Sequence, residues 1–289
     1  MPQIPALIVE RVEKQLSCKV TGFRAASGGC INHGGELITS KGSKFIKWNG
    51  AHQYPAMFKA EAKGLQLLKA VKCIAIPEVL LVNEADSNQF IVMEFVRTQS
   101  PVKNYWRLLG EQLARLHKNS SSQFGLDYDN YIGSLNQINL YNPSWIDFFI
   151  EQRLAYQADI ALRANRADTS LIRQLETLYK KLPDLLPSEK PALLHGDLWS
   201  GNVMANERGK PCLIDPSVYY GHREMELAFT KLFGGFEHGF YEAYENAFPL
   251  QPGFDKRVDV YNLYPLLVHV NLFGGSYFQQ VERILKRYS

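Results

Sequence analysis

Asp197, Asn202 and Asp215 stand at a spacing that suits phosphoryl transfer from ATP. The apolar pair Leu193-Leu194 runs into His195-Gly196-Asp197, Asn202 follows five positions after Asp197, and the apolar pair Leu213-Ile214 leads to Asp215 thirteen positions later. Phosphoryl transfer passes through a loose transition state in which positioning and charge neutralisation supply most of the catalysis. A short carboxylate on a rigid loop, Asp197, can orient an acceptor hydroxyl and take its proton. Asn202 and Asp215 offer hard oxygen donors, and Mg2+ takes few of these from protein because it shares its shell with water and nucleotide phosphates. Taken singly, an Asp or Asn in a turn reads as a backbone cap. The three together read as a catalytic loop followed by a metal-holding strand.

Two more charged residues fit the same chemistry. Lys47 sits between apolar neighbours in Phe45-Ile46-Lys47-Trp48, and Glu61 follows fourteen positions later in a helical pattern. A strand lysine can contact the α- and β-phosphates while a helix glutamate holds its ammonium; without the Asp197 motif, the same pair would read as solvated surface charges. Upstream, Ser27-Gly28-Gly29-Cys30-Ile31-Asn32 joins two predicted strands. Gly28 and Gly29 can bring backbone N–H groups close to phosphate, although the segment matches neither Gly-x-Gly-x-x-Gly nor the P-loop pattern and a Gly-Gly pair also marks a plain hairpin. Cys30 at its tip is a candidate redox-sensitive thiol, or an inert one.

The elements that must position these residues fall into two textures. Short strands are expected at Phe23–Ala26, Gly35–Thr39 and Lys44–Trp48, with Lys41-Gly42-Ser43 as the hairpin turn, then a helix over Ala56–Val71 and strands at Glu78–Asn83 and Gln89–Phe95. Met1–Leu16 reads as an amphipathic helix rather than a signal peptide. Beyond Val96 the pattern turns helical, beginning with Tyr105–His117. The expected division is 1–96 and 97–289: an α+β, two-lobed fold with a small antiparallel β-rich lobe around one helix and a larger, mainly helical lobe, ATP lying between them.

Composition agrees. At 289 residues and 46% hydrophobic the chain can bury a large core. Lys plus Arg number 32 against 29 acidic residues with no long single-sign run, which points away from nucleic acid and anionic membranes and toward a small-molecule partner. No apolar run approaches membrane-spanning length. Four cysteines without Cys-x-x-Cys spacing suit a reducing, cytoplasmic setting. Nothing in the sequence sets the oligomeric state.

These residues resemble the fructosamine kinase (ketosamine kinase) family, within the aminoglycoside-phosphotransferase-like group that shares the protein-kinase fold. The resemblance spans nearly the whole chain, through Gly28-Gly29-Cys30-Ile31-Asn32, Phe45-Ile46-Lys47, Ile91-Val92-Met93-Glu94, Leu113-Ala114-Arg115-Leu116-His117, His195-Gly196-Asp197-Leu198-Trp199-Ser200-Gly201-Asn202 and Tyr220-Gly221-His222-Arg223-Glu224. The Leu-Trp-Ser-Gly filling of the loop is its most specific part. The resemblance implies Asp197 as proton acceptor, Asn202 and Asp215 as Mg2+ ligands, Lys47 on phosphate, and the backbone of Glu94, Phe95 and Val96 on adenine. It implies ATP-dependent phosphorylation of a sugar hydroxyl in ketosamines, sugar adducts on amines such as protein lysines, serving deglycation.

Two absences speak against a protein kinase: position 199 is Trp where the catalytic-loop lysine would stand, and no Ala-Pro-Glu follows Asp215. For the acceptor, Trp199 and Tyr220 offer flat faces with polar tips that suit sugars, Tyr219 and Tyr277 are weaker candidates of the same kind, and Arg223 can bind the acceptor or pair with Glu224. His117 and His195 read as structural histidines. Phe273-Gly274-Gly275 suggests close helix packing. A same-fold kinase of another small alcohol (aminoglycoside, choline or a methylthio sugar) and an inactive nucleotide-binding scaffold are the alternatives.

Overall fold

The computed structural model describes residues 4–26 and 31–288. They divide into two compact units, one running to Tyr105 and taking back Val203–Asp215, the other comprising Trp106–Asn202 and the chain from Pro216 onward. The sequence reading put the division at Val96 and had no signal that 203–215 returns to the first unit.

In the first unit an antiparallel five-stranded sheet has the order β1-β2-β3-β5-β4, with β1 Val20–Ala25, β2 His33–Thr39, β3 Gly42–Gly50, β4 Val79–Ala85 and β5 Asn88–Glu94. The β2–β3 turn closes at Gly42, whose φ is +87°, as the Lys41-Gly42-Ser43 reading anticipated. Helix α1 (Ala6–Leu16) begins directly after Pro5, whose ψ of 133° is extended rather than helical. Its Ile8 and Val12 share a core with Leu37, Ile46, Trp48, Phe90 and Val92. Strand side chains alternate, so with Ile46 and Trp48 turned into that core, Lys47 emerges on the other face of β3, the side of helix α2 (Met57–Ala70) and its Glu61. α1, within the amphipathic helix expected over Met1–Leu16, thus packs on the sheet along with α2.

The second unit is mainly helical. Its longest helix, Phe254–Phe273, has Val260, Leu263, Leu267 and Val270 fully buried and packs against Arg223–Leu232. A continuous helical run covers Trp145–Phe148, a π-helical Phe149–Ala155 and Tyr156–Arg163. Arg153 in that π segment is fully buried, its guanidinium 4.1 Å from the Tyr219 ring and donating to the Ile138 carbonyl at 2.6 Å and Asn139 Oδ1 at 2.7 Å. Among the described residues no helix is long and apolar enough to cross a membrane.

Candidate functional site

The loop that presents Asp197 is fixed by backbone geometry. Strand Ala192–Leu194 pairs antiparallel with Tyr219–Gly221, and the His195 carbonyl accepts the Ser217 N–H at 2.9 Å. The chain reverses at Gly196, where φ is +84° and a Cβ would collide with the Ser217 carbonyl, so only glycine fits. Leu198, fully buried, anchors the loop, and a single 3₁₀ turn, Ser200–Asn202, follows. The Asn202 side-chain amide donates to the Asp197 carbonyl at 2.9 Å and to Asp197 Oδ2 at 3.0 Å. This bond orients the carboxylate, and with the amide nitrogen engaged Asn202 has its oxygen to offer as a hard ligand.

Beneath the loop lies a carboxylate that sequence reading did not single out. Glu226 accepts the His195 N–H at 3.2 Å, the Gly196 N–H at 2.7 Å and a bond from His117 Nε2 at 2.8 Å, while His117 Nδ1 meets Tyr244 Oη at 2.8 Å. Burial alone would raise the Glu226 pKa, but the bond and charge of His117 and the Gly196 N–H together hold it below the usual 4.5. His117 and His195 are thus the buried structural histidines anticipated. The only local signal for Glu226 is a pair of acidic residues, Glu224 and Glu226, in a helix whose neighbours Met225, Leu227 and Ala228 are buried. Glu224 in turn holds Arg257, at 2.6 and 2.7 Å.

The first unit assembles the other charged group. Lys47 Nζ lies 2.8 Å from Glu61 Oε1 and 2.5 Å from Asp215 Oδ1. Asp215 reaches it on the hairpin Val203–Ala205/Pro211–Leu213, whose return strand docks through Leu213 N–H on the Ala75 carbonyl at 3.0 Å. Asp215 itself has φ of +54°, a position aspartate tolerates better than most residues. Burial pulls the Lys47 pKa down, but Asp215 and then Glu61 more than offset this, so its ammonium is held above the ordinary lysine value. Burial raises Glu61, against the pull of Lys47.

One ammonium between two carboxylates leaves a formal charge of −1. The Asp215 side chain is 44% exposed, against 9% for Lys47 and 11% for Glu61, so the excess charge can be reached from solvent. Among the described residues no cluster of three or more His, Cys, Asp or Glu could hold a metal alone. The reachable Asp215 carboxylate suits an ion such as Mg2+ that draws most of its shell from phosphate and water.

The remaining expectations divide. Gly28, Gly29 and Cys30 lie outside the described residues. Glu94 ends β5, exchanging bonds with Glu78, and Phe95 and Val96 follow, half-buried. Trp199 is 41% exposed, with its ring over Gly201. Tyr220 is half-buried, its backbone paired with Gly125. Arg223 is a correction: only 3% exposed, it binds Glu189 at 2.6 and 2.8 Å and the Phe248 and Pro249 carbonyls at 2.7 Å, and stacks 3.7 Å over Phe248. With its guanidinium engaged and buried, it braces the fold through Glu189 rather than Glu224, which holds Arg257 instead, and it is not placed to bind an acceptor. Of the other thiols, Cys212 is buried and pushed up to about 12, which makes it unreactive.

The family model for fructosamine kinase matches residues 2–289. A Synechocystis protein named a probable ketoamine kinase is 41% identical over 91% of this chain and 89% of its own, and the chloroplastic protein-ribulosamine 3-kinase of Arabidopsis thaliana is 37% identical over 93% and 83%. Among solved structures, a fructosamine-3-kinase candidate from Haemophilus somnus superposes with a TM-score of 0.89 at 26% identity, over 97% of this chain and 96% of that one. The aminoglycoside phosphotransferase APH(4)-Ia, at 17% identity and a TM-score of 0.65 over 96% and 98%, shares the fold.

Proposed function

The chain belongs to the fructosamine kinase family, and from that premise we propose that it transfers the γ-phosphoryl of ATP to a sugar hydroxyl of ketosamines, the fructosamine and ribulosamine adducts of amines and protein lysines. The names of its relatives support the acceptor class. The observation that carries the reading is the Lys47–Glu61–Asp215 cluster, a buried ammonium held between two carboxylates of which one remains reachable. A charged group is costly to bury without such partners, so the cluster marks a site rather than a chance contact.

Each residue then has a role. Lys47, oriented by Glu61, binds the α- and β-phosphates of ATP, and the backbone of Glu94, Phe95 and Val96 takes the adenine. Asn202 and Asp215 would hold Mg2+, which neutralises phosphate charge when bound. Asp197, oriented by the Asn202 amide, receives the proton of the acceptor hydroxyl as its oxygen bonds to the γ-phosphorus and the bond to the β-phosphate oxygen breaks, releasing ADP. Trp199, exposed two residues after the base, offers a face to the sugar. The first unit handles nucleotide and the second handles acceptor. Deglycation in a reducing cytoplasm is the setting we assign, consistent with the unbridged, buried thiols of Cys18 and Cys212.

The test is incubation with Mg-ATP and, separately, a ribulosamine, a fructosamine, choline and an aminoglycoside, with products identified by mass spectrometry. Phosphate should appear on the ketosamines and depend on Asp197, with Asp197→Asn lowering kcat by roughly 10²- to 10⁴-fold. Transfer only to choline or the aminoglycoside would move the protein to another alcohol, and transfer indifferent to Asp197→Asn would remove the assigned base.

A further inference from the structure

Two helices of the second unit end in the same four residues. Arg223–Leu232 runs out through Leu232-Phe233-Gly234-Gly235, and Phe254–Phe273 through Leu272-Phe273-Gly274-Gly275. All four glycines have positive φ, between 65° and 89°. A side chain at Gly234, Gly274 or Gly275 would meet nothing within 4 Å, so these glycines do not serve the close helix packing that the sequence suggested. They turn the backbone sharply and leave the phenylalanines outside, Phe233 41% and Phe273 57% exposed. Scattered exposed apolar residues need no explanation, but these two converge.

His269 joins them, its ring centroid 4.8 Å from Phe233, 5.5 Å from Phe273 and 5.0 Å from Tyr277. Its Nδ1 donates to the Pro265 carbonyl at 2.7 Å, and burial lowers its pKa, so the imidazole is neutral at neutral pH. The nearby Lys231 is occupied elsewhere, 2.7 Å from Asp255 and over the rings of Tyr241 and Phe254. The first turn also abuts the catalytic loop: a Cβ on Gly235 would lie 2.7 Å from Ser200 Cβ and Oγ, next to the exposed Trp199. A partly exposed aromatic cluster thus stands at these helix ends, with its Gly235 turn against the loop that carries Asp197 and with the Arg166 guanidinium capping the Val270 and Asn271 carbonyls beside it.

We propose that Phe233, His269, Phe273 and Tyr277 form a collar that takes the amine half of the ketosamine, with its secondary ammonium against the ring faces and its alkyl chain laid along them. This rests on the ketosamine kinase reading above. A ketosamine is a sugar joined to a protonated secondary amine, and a cation over an aromatic face is attracted by the negative face of the ring's π system. Each methylene of the amine's chain that leaves water strengthens binding by roughly fourfold when fully buried. A protein-bound lysine adduct presents the same chemistry, an ammonium on a four-carbon stem.

The collar predicts selectivity for the carrier. With ribulosamines of methylamine, butylamine and hexylamine as acceptors, kcat/KM of the wild-type enzyme should rise with chain length, by about tenfold or more across the series. Phe273→Ala should lower it by about tenfold for the hexylamine adduct, through KM, and by under threefold for the methylamine adduct, with Phe273→Tyr restoring the gradient. Phe233→Ala should act alike, and if it compromises folding the more exposed Phe273 still decides. A flat wild-type profile, or equal losses at every chain length, overturns the collar while leaving the kinase reading intact. If no ribulosamine is phosphorylated, both readings fall.

Discussion

Glu226 accepts the Gly196 N–H at 2.7 Å, so a helix residue thirty positions downstream holds the turn that presents Asp197. The same carboxylate holds His117 at 2.8 Å and is itself almost wholly buried. Glu226→Ala strands the His195 and Gly196 N–H groups and the imidazole, and should cost about 3–5 kcal/mol in denaturant unfolding. Glu226→Gln keeps the shape and part of the acceptor capacity and should cost about 1–3 kcal/mol.

The pH dependence of that difference has a definite sign. The Glu226 pKa is depressed in the folded protein below the usual 4.5, so its contribution to stability is fully present above the unfolded value and is lost as pH falls through the lower folded one. The gap in unfolding free energy between wild type and Glu226→Gln should therefore be constant near neutrality and shrink below about pH 4.5. A gap that widens on acidification would contradict the assignment of a stabilised carboxylate.

Gly196 and Gly234 both have positive φ, yet a Cβ at Gly196 would collide with the Ser217 carbonyl whereas one at Gly234 meets open space. Gly234→Ala should cost about 1–2 kcal/mol, the ordinary penalty of that backbone region. Gly196→Ala should cost more than this and abolish transfer. Thermal midpoints and turnover of the two variants, measured side by side, test the contrast.

Lys47→Met removes the charge that Glu61 and Asp215 enclose. Loss of a charged phosphate contact worth about 1.5–3 kcal/mol should raise KM for ATP by roughly 10- to 100-fold. Lys47→Arg should not restore it, because a planar fork cannot replace a point charge in a buried slot. An unchanged KM for ATP in Lys47→Met would detach this cluster from nucleotide binding.

Arg223→Lys separates bracing from recognition. The variant loses the two-point bond to Glu189 and the stacking on Phe248, so stability should fall by about 1–3 kcal/mol. The KM for a ketosamine should stay near that of wild type. A raised KM without loss of stability would return Arg223 to the acceptor site.

What the sequence alone determined was local or periodic. Helix Tyr105–His117 was read to its ends, and the strands to within a few residues, because alternation and turn chemistry are properties of neighbours. The chemistry-bearing residues were legible for a related reason: Asp197, Asn202 and Asp215 lie within nineteen positions of one another, so spacing carried the signal. Tertiary structure decided whatever depended on partners far along the chain. Arg223 and Glu189 stand 34 positions apart, Lys47 and Asp215 168. Arg223 looked available beside a catalytic motif and turned out to be buried, since a charge enters the interior only where folding delivers its counter-charge. The two Leu-Phe-Gly-Gly ends were visible as letters, but only the packing of Phe254–Phe273 against Arg223–Leu232 brought their rings around His269.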